Sequence, residues 1–178
     1  MNMAREDTGL IHVYAGEGQG KTSAAVGLAT RARGAGLSVL LAQLFKEEPS
    51  EIKSLKKLGV KCVHYSLTHP YFKKYSDKAL EEKAKGCQDF VEKAFKLARK
   101  DKYDVLILDE IGPALSYALI TSDALASLIK AKPRKTELVL TGRGIPDSIM
   151  ELADYVTELT LKKHPYNQGV LARKGIDF

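Results

Sequence analysis

A chain of 178 residues with 44% apolar and 28% charged residues has the balance of a globular protein, long enough to bury about 70% of the surface its unfolded form exposes. No apolar run approaches the ~20 residues that a bilayer span requires, and the opening MNMAREDTGL lacks the continuous apolar segment of a signal peptide, so a cytoplasmic location is expected. The net charge of +6 suits an anionic ligand such as a nucleotide, but the lysines from Lys53 to Lys85 are interleaved with glutamates and no aromatic RNA-binding motif accompanies them, which argues against a nucleic-acid partner.

In chain order, LIHVYA (10–15) reads as a buried strand, since runs apolar on both faces are typical of parallel sheets. The Ala-rich stretch 23–35 reads as a helix whose small side chains allow close packing on a sheet, with Gly34 and Gly36 as terminators. A second buried strand, LSVLLAQLF (37–45), follows, then a weaker one, VKCVHYS (60–66), and a loop over 67–75. Apolar residues at three-to-four spacing predict a long amphipathic helix over 77–100, capped by Ser76. YDVLILDE (103–110) is the third buried strand and TELVLTG (136–142) the fourth, with a helix between them over 121–131. A helix over 147–153, a weak strand YVTELTL (155–161) and an irregular tail from residue 162 complete the chain. The two cysteines, Cys62 and Cys87, lack metal-like spacing and read as reduced packing residues. Alternating strands and helices predict an α/β domain over 1–178, with a doubly wound, mostly parallel sheet that binds its ligand at the carboxyl ends of the strands.

The stretch AGEGQGKTS, between the first strand and the first helix, matches a phosphate loop with Ala15 in place of the first glycine. Gly16, Gly18 and Gly20 let the backbone approach phosphate oxygens, and its N–H groups join the positive end of the helix in wrapping an anion. Lys21 supplies a cation to the phosphates and Thr22 a hydroxyl to Mg²⁺. Asp109 and Glu110 stand at the end of a buried strand, where Asp109 would hold the metal directly or through water. Two roles are open to Glu110: second metal ligand, or base for a water. Arg143, between glycines in TGRG, offers a fork of donors to a phosphate or ribose. For Arg31, on the first helix, a surface position and a nucleotide contact are equally open. From the residues alone the ligand is a nucleotide with Mg²⁺, and the reaction is open, hydrolysis and phosphoryl transfer included.

Several separated segments together resemble the corrinoid adenosyltransferases that make adenosylcobalamin from ATP: GEGQGKTSAAVGLATRARGAG (16–36), LILDE (106–110), LTGRG (140–144), ELADYVTEL (151–159) and KHPYNQGVLARKGIDF (163–178). The resemblance implies a P-loop NTPase-like sheet of six parallel strands, a homodimer, and a flavoprotein reductant as a further partner. It also implies ATP held in a reversed sense, with the triphosphate in the loop and ribose C5′ turned to the corrinoid. Reduced Co(I) then attacks C5′ and inorganic triphosphate leaves. Carried over by position, Glu17, Gly18, Gln19, Gly20, Lys21 and Thr22 would contact the triphosphate, and Ser23 would lie near the α-phosphate or ribose. Thr22 and Glu110 would hold the metal, Arg31 the nucleoside and Arg143 the phosphates. A non-catalytic, ATP-dependent corrinoid-binding protein is the alternative within the resemblance.

Three departures from the family pattern stand out. The Phe-x-Trp element between the third strand and the long helix is missing, and Tyr71 and Phe72 occupy the region, either as substitutes or as packing beneath a loop. IGPAL follows Glu110 where the family tends to have Leu or Ile and then Thr or Asn, so Pro113 is expected to alter the mouth of the site. The arm before the first strand is short. His64, His69 and His164 are read as structural rather than as cobalt ligands.

Overall fold

The computed structural model describes residues 9–46, 49–68 and 76–177; Tyr71, Phe72 and His69 lie outside the described residues. Its elements run β1 (Ile11–Ala15), α1 (Lys21–Gly34), β2 (Val39–Leu44), α2 (Glu51–Lys57), β3 (Lys61–Tyr65), α3 (Asp77–Lys100), β4 (Val105–Asp109), α4 (Ile111–Ser116), α5 (Ser122–Lys130), β5 (Glu137–Thr141), α6 (Asp147–Met150) and β6 (Tyr155–Glu158), with a 3₁₀ turn at Pro165–Gln168. All six strands are parallel, in the order β3-β2-β4-β5-β1-β6. The α/β, doubly wound sheet expected from the sequence is therefore present, and it is that of a P-loop NTPase-like fold.

Strand alternation sorts the core into two faces. Leu40, Ala42, Leu44, Leu106, Leu108, Leu138 and Leu140 meet the long helix α3 through Cys87, Val91, Ala94, Phe95 and Ala98. Val39, Leu41, Val105, Ile107 and Val139 point the other way, to Ala25, Ala29 and Ala32 of α1 and to Leu55 of α2. The same alternation carries Gln43, Asp109 and Thr141, the next residues in these rows, to the α1 face at the carboxyl edge of the sheet. In register, Gln43 stands opposite Asp109 and Tyr14 opposite Thr141, so the strand ends that bear polar groups are level with one another.

Two helices were not anticipated. α2 is short and buries only Leu55, too little apolar spacing to stand out from EIKSLKK. α4 begins with Ile111, Gly112 and Pro113, residues that read as a turn when tertiary contacts are unknown. The helix expected over 147–153 ends at Met150, and its remainder forms turns, with Ala153 donating to the Met150 carbonyl. α3 has the expected bounds, and the Ser76 hydroxyl accepts from the Ala79 N–H at 3.4 Å. Cys87 is buried and Cys62 half-buried, both free thiols; burial pushes the Cys87 thiol up to about 12, where it is inert.

α1 carries the phosphate loop at its start, and its distance from the sheet is set by alanines; Ala29 is fully buried at that contact. Ala29→Leu should force the helix away and lower stability by about 1–3 kcal/mol, measured as a lower urea midpoint with unchanged slope.

Candidate active site

The loop between β1 and α1 is shaped by the backbone around it. Gly16 and Gly20 have φ of +100° and +109°, a region that favours glycine. The Gly18 N–H donates to the Leu159 carbonyl at 2.6 Å, and a Cβ on Gly18 would lie 2.6 Å from that same oxygen. The glycine at 18 is thus required by the chain leaving β6, in addition to any phosphate. Lys21 is buried and its ammonium donates to the carbonyls of Gly16 at 2.7 Å and Gly18 at 2.6 Å. Burial lowers its pKa and Glu110 acts in the opposite direction. The first turn of α1 has no side-chain cap, so its N–H groups and the Lys21 ammonium form one anion-seeking cradle.

Asp109 is fully buried and surrounded by donors. The Thr22 hydroxyl lies 3.0 and 3.2 Å from its two carboxylate oxygens, the Thr141 hydroxyl donates at 2.7 Å, the Gln43 amide at 3.1 Å, and the Lys46 ammonium sits at 3.1 Å. Lys46 also lies 3.1 Å from the Thr22 hydroxyl and 3.3 Å from Glu51. Burial opposes the charge on Lys46, but Asp109 and then Glu51 more than offset it, so its pKa is raised. Gln43 also donates to Glu51 at 2.8 Å, and its buried Oε1 has no protein partner among the described residues.

No three His, Cys, Asp or Glu side chains come together as a metal cage among the described residues. The hydroxyl of Thr22 and the carboxylates of Asp109, Glu51 and Glu110, which line the cavity or lie just beneath it, nevertheless make an all-oxygen set. That is the chemistry Mg²⁺ takes, with phosphate oxygens and waters completing its shell, and a positive group already stands among them. The residues fit the ion.

Glu110 follows in a left-handed conformation, φ +63°, with its N–H donating to the Thr141 hydroxyl at 3.0 Å. One hydroxyl thus ties the backbone of Glu110 to the carboxylate of Asp109. Burial, then the charge of Asp109, pushes the Glu110 carboxyl above the usual carboxylate range. The TGRG turn is seated against α4: a Cβ on Gly142 would come within 2.5 Å of the Gly112 nitrogen, and one on Gly112 would overlap the Arg143 carbonyl. IGPAL is therefore the surface on which the arginine turn rests; Pro113 is buried. Arg143 reaches across the loop to Glu17 at 3.0 Å, both side chains exposed.

A cavity of about 780 Å³ lies over these groups, lined by residues 18–23 of the loop and α1, by Lys46, Glu51, Glu110 and Arg143, and by the returning tail. Its size is that of a nucleotide-scale pocket. The tail was expected to be irregular. Here Asp177 accepts from the Gln19 amide at 2.6 Å and from the backbone N–H and Nε of Arg173 at 2.9 and 3.0 Å. His164 accepts from the Tyr166 N–H at 3.1 Å and so caps the 3₁₀ turn; His64 is exposed on β3.

Of the residues singled out from sequence, Gly18, Gln19, Gly20, Lys21, Thr22, Ser23, Glu110 and Arg143 line this one cavity, Asp109 is bonded to Thr22 beneath it, and Gly16 and Glu17 belong to the same loop. Arg31 does not join them: it is exposed and lines a separate cleft with Asp104 and Glu137. Gln43, Lys46, Glu51 and Thr141 were missed. A single glutamine in the otherwise apolar VLLAQL, one residue before the strand end, was the available signal.

The family model described as ATP:corrinoid adenosyltransferase BtuR/CobO/CobP matches residues 7–178. The corrinoid adenosyltransferase of Sinorhizobium sp. is 34% identical over 97% of this chain and 82% of its own length, and that of Escherichia coli K12 is 31% identical over 98% and 88%. In fold alone, the chain is similar to the flagellar accessory protein FlaH from Methanocaldococcus jannaschii, with a TM-score of 0.59 at 15% identity over 85% of this chain and 71% of that one.

The raised Glu110 pKa has a thermodynamic sign. A carboxyl whose folded pKa exceeds its unfolded value favours the folded state fully only below the unfolded value, and that contribution is lost as pH rises through the folded pKa. Glu110→Gln should therefore raise the melting temperature of the metal-free protein at about pH 7 and leave it near wild type at about pH 3.5, below the ordinary glutamate range, as read by calorimetry.

Proposed function

The chain belongs to the ATP:corrinoid adenosyltransferase family, and on that premise we propose that the cavity over the phosphate loop binds ATP by its triphosphate and exposes ribose C5′ to the corrinoid. The activity is ATP-dependent adenosylation of corrinoids, and the protein is a transferase. The single observation that supports the siting is convergence: the loop, Glu110 and Arg143 line the same cavity, while Thr22 is bonded to buried Asp109 beneath it.

In this reading the cobalt electron pair of the Co(I) corrinoid forms the Co–C bond to C5′, the C5′–O bond breaks, and the pair from that bond leaves on triphosphate. The phosphate chain itself stays intact. Residues 17–22 and the N–H groups at the start of α1 grip the leaving group, with Ser23 towards its α-phosphate end. Lys21, freed from the Gly16 and Gly18 carbonyls by a competing anion, and Arg143, released from Glu17, bring positive charge to oxygens that gain negative charge as the bond breaks. Co(I) needs no base, so positioning carries much of the remaining rate, and Glu110 serves as a metal ligand rather than as a proton acceptor. Mg²⁺, held by oxygens of Thr22, Asp109, Glu110 and Glu51, would supply further positive charge to the triphosphate. Leu171 and Ile176 are exposed on the cavity wall, apolar surface suited to a corrin ring.

One nucleotide-binding domain over 1–178, assembly as a homodimer, a flavoprotein electron donor and a cytoplasmic location belong to the same proposal and rest on the family resemblance. The nucleoside contact earlier assigned to Arg31 is not retained, because that side chain lines the other cleft.

Anaerobic incubation with cob(I)alamin, ATP and Mg²⁺ should yield a light-sensitive alkylcorrinoid and an equal amount of triphosphate. Lys21→Ala should weaken ATP binding at least about tenfold and reduce turnover further, since charge-assisted contacts to phosphate are worth about 1.5–3 kcal/mol each. ADP as the nucleotide product, or a Lys21→Ala enzyme near wild type, would refute the assignment.

A further inference from the structure

Lys46 has no part in the reading above, yet its ammonium stands at the centre of the proposed metal site. It lies 3.1 Å from the Thr22 hydroxyl, 3.1 Å from Asp109 and 3.3 Å from Glu51. Gln43 holds the two carboxylates from behind, at 3.1 and 2.8 Å. These are the oxygens that would coordinate a divalent cation, and a divalent ion among them would stand within a few ångströms of the ammonium. Like charges that close repel strongly in a partly dry site. One of the two must give way, and only the lysine is tethered. Lys46 also lines the cavity alongside Lys21 and Thr22, so its flexible four-carbon stem can swing the charge from the carboxylates to a triphosphate lying in the loop.

We propose that Lys46 is a built-in counter-cation of the Thr22–Asp109 site, which it vacates for the triphosphate, so that divalent metal binds strongly only once polyphosphate is present. This rests on the metal reading given above. Without nucleotide the lysine satisfies Asp109 and excludes metal. With nucleotide it adds a positive contact to the triphosphate and uncovers the oxygens. Metal and ATP then promote each other's binding by the same factor, as linkage requires. The lysine is a positioning residue for the leaving group, and one protein charge does two jobs in sequence.

The test is Mn²⁺ binding to the nucleotide-free protein, followed by loss of the free-ion electron paramagnetic resonance signal. Lys46→Met keeps most of the stem and removes the charge; it should bind Mn²⁺ at least about tenfold tighter than wild type, and Mn²⁺ should raise its melting temperature more. Lys46→Gln is the second neutral variant should the methionine one fail to fold, and Lys46→Arg, which keeps the charge, should gain nothing. Adding Asp109→Asn to Lys46→Met should abolish the gain. In EDTA, Lys46→Met should bind inorganic tripolyphosphate several-fold more weakly than wild type. No gain in either neutral variant, or a gain that survives Asp109→Asn, overturns the proposal. Wild type with ATP separates the two levels: bound Mn²⁺ that is lost in Thr22→Val, together with no gain in the neutral variants, overturns the lysine exchange and leaves the metal reading standing. No protein-bound Mn²⁺ under any condition overturns both.

Discussion

A single buried charge organises the active end of this molecule. Asp109 has no access to water, and an ionised carboxylate in that position is tolerable only when its lone pairs are met by donors. The donors come from four places in the chain: Thr22 at the start of α1, Thr141 at the end of β5, Gln43 near the end of β2 and Lys46 just beyond it. Satisfying the carboxylate therefore fixes the helix start, the two strands that flank β4 and a loop relative to one another. The anion-seeking cradle at the start of α1 takes its place from that requirement.

The second constraint is steric. Gly112 and Gly142 approach so closely that neither can carry a side chain without displacing the other's backbone, and this contact aims Arg143. On the opposite flank, the Leu159 carbonyl takes the Gly18 N–H and holds the loop open against the edge of the sheet. Arg143 itself is held by an exposed partner, Glu17, in a pair worth little in water and easily exchanged for phosphate.

How much of this was legible in the sequence follows from the range of the forces involved. Periodicity and turn chemistry are local, so α3 and its Ser76 cap, the core strands and the phosphate loop were readable. α2, which buries a single leucine, and α4, with Gly112 and Pro113 in its first turn, carry no local signature. Among site residues, Lys21, Thr22, Asp109, Glu110 and Arg143 announce themselves by motif. Gln43, Lys46 and Glu51 do not, because their role arises only when β2 lies beside β4. Asp177 bonds Gln19 from the far end of the chain, which no spacing rule could reveal. Arg31 shows the opposite error: its place on α1 suggested the nucleotide, and its direction leads elsewhere.

The sheet order puts β1 between β5 and β6, the last two strands in sequence. The phosphate loop is therefore made well before β5 and β6, but it cannot take its final shape until β6 has delivered Leu159 to Gly18. Contacts that span so much of the sequence form slowly, and chains grow from the N-terminus at only about 5–20 residues per second. A nascent chain would thus hold the loop unshaped until β6 had been made and docked, and the loop's final form would mark the closing of the sheet rather than seed it.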